Sequence, residues 1–256
     1  MSQLTQNHHA INQQQYQDKS HAYLNSHVHA QGAEFAKIQS LLTAYNLRHV
    51  LDLGCGGGHV SYQIAPMVQS VIAYDLTPEM CDLVAAEAKN RNLHNIKTMI
   101  GAAEQLAFED DAFDAVISRF SAHHWQNISQ AMQEIYRVTR PEGKVILIDI
   151  LGSSNPLLNN FLQTIETIRD PSHVKNYSLS EWLFFAESIG FTVETIEKQS
   201  LSLNFDSWTA RMNTPPVNVQ VLRTLQHRCA DSIKRYYQID NNGNFCSPMM
   251  VLVLSK

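Results

Sequence analysis

The 256-residue chain has four cysteines, Cys55, Cys81, Cys229 and Cys246, and no CxxC pair among them. Scattered in this way they read as reduced thiols, so neither a disulfide framework nor a zinc site is expected. No stretch nears the roughly 20 apolar residues that a membrane-spanning helix needs. Met1 to Gln17 is rich in Gln, Asn and His and lacks the basic-then-apolar order of a secretory signal. An excess of basic residues is missing as well: 19 Lys and Arg face 24 Asp and Glu, a formal charge of −5. Duplex nucleic-acid binders rely on basic surface to neutralise phosphates, so no nucleic-acid partner is expected. The twelve histidines show no HxxxH or His/Cys spacing, so no metal is expected either. What remains is a cytoplasmic protein without integral membrane contact, its 44% hydrophobic content ample for one large core and its oligomeric state open.

What is present is an alternation. Ala33 to Tyr45 carries Phe35, Ile38, Leu41 and Leu42 at helical spacing. The run His49–Leu53 then ends in Gly54-Cys55-Gly56-Gly57-Gly58, a strand entering a glycine turn that opens a helix through Val60 and Ile64. Val71–Tyr74 is a second strand closed by Asp75, and Thr77-Pro78 opens the next helix, with Thr suited to cap and Pro to the first turn. Ile96–Ile100 and Phe113–Ser118 are further strands. A helix through Ile128, Met132 and Ile135 stops at the turn Arg140-Pro141-Glu142-Gly143, and Lys144–Ile150 is a fifth strand. This rhythm predicts a parallel sheet covered on both faces. Later the helical stretches 152–188 and 206–238 accompany two more strands, one over 191–196 whose continuation to Leu203 stays open and one over 249–254, with Gly190 as a helix C-cap.

A glycine turn between the first strand and first helix lets backbone approach a ligand near a helix N-terminus. The dinucleotide pattern G-x-G-x-x-G would need glycine at 59, which is His59, and no Gly-Lys-Ser/Thr follows. Asp52 is a carboxylate at the end of an apolar strand, costly to bury without partners. Asp75 ends the adjacent strand, where an acid meets ribose hydroxyls in doubly wound folds.

These residues resemble the class I S-adenosylmethionine-dependent methyltransferases over residues 45–150. Val50 to Gly58 is similar to the family's first motif, Asp75 to its ribose-binding acid, Gly101 to Phe108 to its adenine loop and Phe113-Asp114-Ala115-Val116 to its fourth-strand motif. Arg119 to Trp125, with His123-His124, resembles a segment of the ubiquinone/menaquinone C-methyltransferases and their bacterial relatives. The resemblance implies a Rossmann-like doubly wound seven-stranded sheet, mostly parallel with the last strand antiparallel, plus helical lid insertions at 152–188 and 206–238. Residues 1–20, without apolar periodicity and with the polar run Asn12-Gln13-Gln14-Gln15, read as flexible, so the chain divides into a flexible N-terminal flap, 1–30, and a methyltransferase domain, 31–256. The resemblance also implies S-adenosyl-L-methionine as cofactor, held by Asp52, Gly54, Cys55, Gly56, Gly58, Asp75, Leu76, Met80, Ala103 and Glu104, with Ser118 and Arg119 facing its methionine end. Ala102 departs from the pattern, standing where many members bond the adenine amino group with Asp or Asn. Adenine contact then falls to backbone, Glu104, or packing by Leu76 and Met80.

The implied activity is methyl transfer to a small-molecule acceptor by in-line displacement. A catalytically silent cofactor-binding module and a nicotinamide-dependent oxidoreductase are the alternatives. A base is needed only where the acceptor must lose a proton. His123 and His124 are the catalytic candidates, although adjacent residues on a regular element face opposite ways. Tyr23, His173 and Trp182 are substrate candidates, and Tyr16, His27 and His29 could reach in from the flap. The ordinary alternatives are a satisfied cap or surface ion pair for His173 and Arg169, and core packing for Trp182, Phe184, Phe185 and Trp208.

Overall fold

Strands of five to twelve residues set the architecture. The computed structural model describes residues 2–17, 19 and 32–256. Seven strands, β1 (His49–Leu53), β2 (Ser70–Asp75), β3 (Ile96–Ile100), β4 (Phe113–Arg119), β5 (Thr139–Ile150), β6 (Thr192–Leu203) and β7 (Phe245–Ser255), form one sheet in the order β3-β2-β1-β4-β5-β7-β6. The first five run parallel, and β7 inserts antiparallel between β5 and β6. Strand order reverses between β1 and β4, so a crevice opens beyond their carboxyl ends, where sheets of this kind take ligands. The described helices are α1 (Ser2–Tyr16), α2 (Glu34–Ala44), α3 (His59–Ile64), α4 (Pro78–Asn90), α5 (Ile128–Val138), α6 (Pro156–Arg169), α7 (Leu179–Ile189), α8 (Phe205–Arg211), α9 (Pro216–Arg228) and α10 (Asp231–Tyr237). None is long and apolar enough to cross a membrane.

The sheet separates two cores. Ile38, Val50, Ile146, Val251 and Leu162 join α2 and α6 to one face. Helix α5 covers the other, burying Ile128, Ala131, Met132, Ile135 and Val138 at the spacing of one helical face. Asn127 caps it, its side chain accepting the Gln130 N–H at 3.2 Å. Helix α7 starts in a Ser178–Glu181 capping box and ends at Gly190, φ 109°.

Three local expectations change. Thr77 stands at the N-cap of α4, but its hydroxyl caps nothing, and its N–H instead donates to Asp75 Oδ1 at 2.9 Å. Arg140–Gly143 is a bend inside β5 rather than a turn before it. Thr139 pairs with Phe113, and Glu142, at φ 64°, redirects the strand. Residues 2–16 form α1, a helix that no apolar periodicity announces, because its contacts are polar: Gln13 Nε2 donates to the Leu76 carbonyl at 3.0 Å and Gln15 Nε2 to that of Met212 at 3.3 Å.

Candidate functional site

The glycine loop is built around two carboxylates. Asp52 Oδ2 accepts the backbone N–H of Ser61 at 3.0 Å and its hydroxyl at 2.6 Å, tying the end of β1 to the start of α3. Burial, only partly offset by those two bonds, pushes the Asp52 carboxyl up to about 7. Asp75 accepts from Gly56 N–H at 2.8 Å with one oxygen and from Thr77 N–H with the other. Each oxygen retains lone-pair capacity for a hydroxyl donor. Gly54 is required on two counts: its φ is 74°, and a Cβ there would lie 1.9 Å from Ser121 Oγ.

Beyond these strand ends lies a cavity of about 950 Å³. Asp52, Gly54, Cys55, Gly56 and Asp75 line it from the loop and strand ends, and Leu76, Met80, Ala103 and Glu104 line it as well. Burial raises the Cys55 thiol, so it stays protonated. Arg119 also lines the cavity, its guanidinium bonded to Glu34 at 2.6 and 2.9 Å and sandwiched by the rings of Phe35 and Phe120. Two sequence candidates stay off the wall. A Cβ on Gly58 would strike Tyr62 and Val84, so this glycine serves loop packing; Ser118 is buried within β4. Helix α1 completes the cavity with His9, Asn12 and Tyr16. His9 Nε2 lies 3.6 Å from Glu104 Oε2, and Glu104 Oε1 accepts Asn127 N–H, so this carboxylate is already engaged. With Ala102 unable to bond, Leu76 and Met80 remain to pack a ring.

A second cavity of about 540 Å³ shares Tyr16, Phe120 and His124 with the first. Both adjacent histidines line it, against the expectation for a regular element, because residues 122–124 form a 3-10 turn whose two imidazoles tilt together with centroids 4.2 Å apart. Their chemistry differs. His123 Nδ1 lies 2.5 Å from Asp149 Oδ1, which fixes the proton on Nδ1 and leaves Nε2 basic. Burial disfavours the imidazolium, but Asp149 more than compensates and raises the His123 pKa above 6.5. His124 Nδ1 meets the Ser172 carbonyl at 3.0 Å and must be the donor there, so Nε2 accepts from Tyr16. Burial and then His123 push His124 down to about 4.

The substrate candidates separate. His173 lines neither cavity; its Nε2 meets Gln163 Oε1 at 2.9 Å, and burial drives it down to about 2. Trp182 is 1% exposed and packs edge-on against Tyr177 and Phe185 in the core. Tyr23, His27 and His29 lie outside the described residues. Arg169 forms an ion pair with the buried Glu166 at 3.1 Å and, itself partly exposed, lines the second cavity with Trp208. Asp149 escaped the sequence reading although the signal was there: it is the one charge in the apolar run Val145–Ile150, the argument that singled out Asp52. Asn12 and Asn176 carried no comparable signal.

Comparisons with known proteins agree with this geometry. A methyltransferase domain family matches residues 51–147. The chain is 39% identical over 199 residues to YafE of Escherichia coli, covering 78% of this chain and 96% of that protein. It is 31% identical over 235 residues to the uncharacterized methyltransferase YcgJ of Bacillus subtilis, 91% and 92% of the two chains. The YcgJ crystal structure superposes with a TM-score of 0.81 at 30% identity over 86% of this chain and 98% of that one. A ubiquinone/menaquinone biosynthesis C-methyltransferase, UbiE of Rickettsia prowazekii, is 28% identical over 44% of this chain and 48% of its own length.

Proposed function

The chain belongs to the class I S-adenosylmethionine-dependent methyltransferases, and from that premise we propose that it methylates a small-molecule acceptor held in the second cavity. The carrying observation is that the two cavities share Tyr16, Phe120 and His124 while the His123–Asp149 pair stands beside the shared wall.

The residues of the first cavity fit the cofactor. Asp75 has acceptor capacity left for a ribose diol, Gly54 leaves the close approach that a side chain would block, and Leu76 and Met80 offer apolar packing for adenine without Asp or Asn at 102. Gly56, Cys55, Ala103 and Glu104 complete the cradle, with Arg119 toward the methionine end. Bound S-adenosylmethionine supplies an electrophilic methyl group on a sulfonium.

The protein's own contribution is positioning and water exclusion, worth up to about 7–11 kcal/mol in favourable cases. Helix α1 covers the first cavity as a flap. The insertions 152–188 and 206–238 close the second, contributing Glu166, Arg169 and Asn176, then Trp208 and Arg211. Where the acceptor must shed a proton, His123 Nε2 takes it while Asp149 holds Nδ1–H and steadies the imidazolium. His124 stays neutral and fastens the wall.

Titration calorimetry with S-adenosylmethionine, followed by a radiolabelled methyl-transfer screen against metabolite extract, tests this. One labelled small product is expected. Cofactor binding without any labelled product would leave a silent binding module in its place.

A further inference from the structure

Asn176 sits in the loop between α6 and α7 and is 1% exposed. Its backbone is clamped: the N–H donates to Gln163 Oε1 at 3.0 Å, and the carbonyl accepts from Gln163 Nε2 at 2.7 Å. Gly152 presses against the same carbonyl so closely that a Cβ there would stand 2.2 Å away. The backbone at this position is therefore held in place, and the side chain it carries is buried. Yet Asn176 Nδ2 finds no acceptor among the described residues. An unmade hydrogen bond of this kind is expensive, and beside a cavity an incoming ligand is one partner that can satisfy it.

Asn176 lines the second cavity together with His123, Phe120 and Trp208. We propose that Asn176 is a specificity-determining residue whose Nδ2 donates a hydrogen bond to a carbonyl or carboxylate oxygen of the methyl acceptor. The proposal rests on the second cavity being the acceptor site and adds the acceptor's class: a small molecule, apolar where it meets Trp208, Phe120 and Leu203, that carries such an oxygen. Apolar contact gives little discrimination between similar ligands, whereas a buried donor left unpaired rejects an analogue lacking the oxygen.

Acetophenone, benzoate and ethylbenzene share a phenyl ring and differ in that oxygen. Each is titrated calorimetrically into the full-length protein saturated with S-adenosylhomocysteine. Acetophenone or benzoate is expected to bind about tenfold more tightly than ethylbenzene, and the tighter of the two identifies a neutral carbonyl or a carboxylate. Asn176→Leu should abolish the preference while leaving S-adenosylhomocysteine affinity, read at the first cavity, unchanged. Asn176→Asp, which keeps the size but loses the donor, should lose acetophenone preference and reject benzoate. A merely structural role would not alter the ratio between probes. Equal affinities in the wild type, no binding of any probe, or a preference surviving both variants overturns the assignment. Leu203→Trp, which fills the cavity, separates the two levels: unimpaired methyl transfer to metabolite extract would refute the acceptor site itself.

Discussion

The Tyr16 hydroxyl meets Nε2 of His124 at 2.9 Å, latching the N-terminal helix to the turn that follows β4. The rings stand edge-on, 5.4 Å apart. With Gln13 bonded to the Leu76 carbonyl, α1 roofs the first cavity by polar contacts. Removing residues 1–20 should therefore leave the sheet folded but weaken S-adenosylmethionine affinity and slow methyl transfer. Tyr16→Phe alone should cost about 0.5–1.5 kcal/mol of cofactor affinity, the scale of one hydrogen bond. Calorimetry checks both, and a deletion that changes neither quantity refutes the flap.

Asp75→Ala should weaken cofactor binding by about 1–3 kcal/mol, as expected for loss of hydrogen bonds to a charged group. The carboxylate also holds the N–H groups of Gly56 and Thr77, so part of this effect arises through the loop. Asp75→Asn keeps an acceptor and the side-chain size, and should retain more of the ligand-free melting temperature than Asp75→Ala. Comparing melting with titration separates contact from loop support.

Much of the first cavity was readable because its parts are local to strand ends. β1 and β3 stop at Leu53 and Ile100, each followed by glycine. Gly54, Gly56 and Asp75 then follow from what a parallel sheet requires at those ends. The second cavity is different in kind. Asn176 comes from the loop between α6 and α7, Leu203 from β6, Trp208 from α8 and Tyr16 from α1, and no spacing rule relates four segments brought together by tertiary packing. Helix α1 was invisible for a related reason, since polar contacts with a cleft leave no hydrophobic period. Asp149 was visible in principle as a lone charge inside an apolar strand.

Trp182 is a core residue of α7 rather than a substrate wall, and its truncation should read accordingly. Trp182→Ala should cost about 3–5 kcal/mol of folding stability by denaturant titration. In the folded fraction, S-adenosylmethionine affinity should remain that of the wild type, because Trp182 lines neither cavity. A stability change below about 1 kcal/mol together with lost methyl transfer would restore the substrate role.

With His123 as the proposed base, the His123–Asp149 pair predicts a pH dependence of definite sign for methyl transfer. Asp149 raises the His123 pKa above 6.5 despite burial, so the basic form becomes populated only as pH climbs through that raised value. Methyl transfer should rise over the same interval, measured with radiolabelled cofactor and the acceptor found by the screen. In Asp149→Asn the attraction is gone and burial dominates, so the midpoint moves to lower pH while the maximal rate falls, the imidazole having lost the charge that steadied its protonated form. Stability runs in the opposite sense. The pair's contribution to folding is complete below the unfolded histidine value of 6.5 and is lost as pH rises through the folded one. The melting-temperature gap between the wild type and Asp149→Asn should therefore be widest in mild acid and narrow toward alkaline pH. A rate profile that keeps its midpoint in Asp149→Asn would remove His123 from proton transfer.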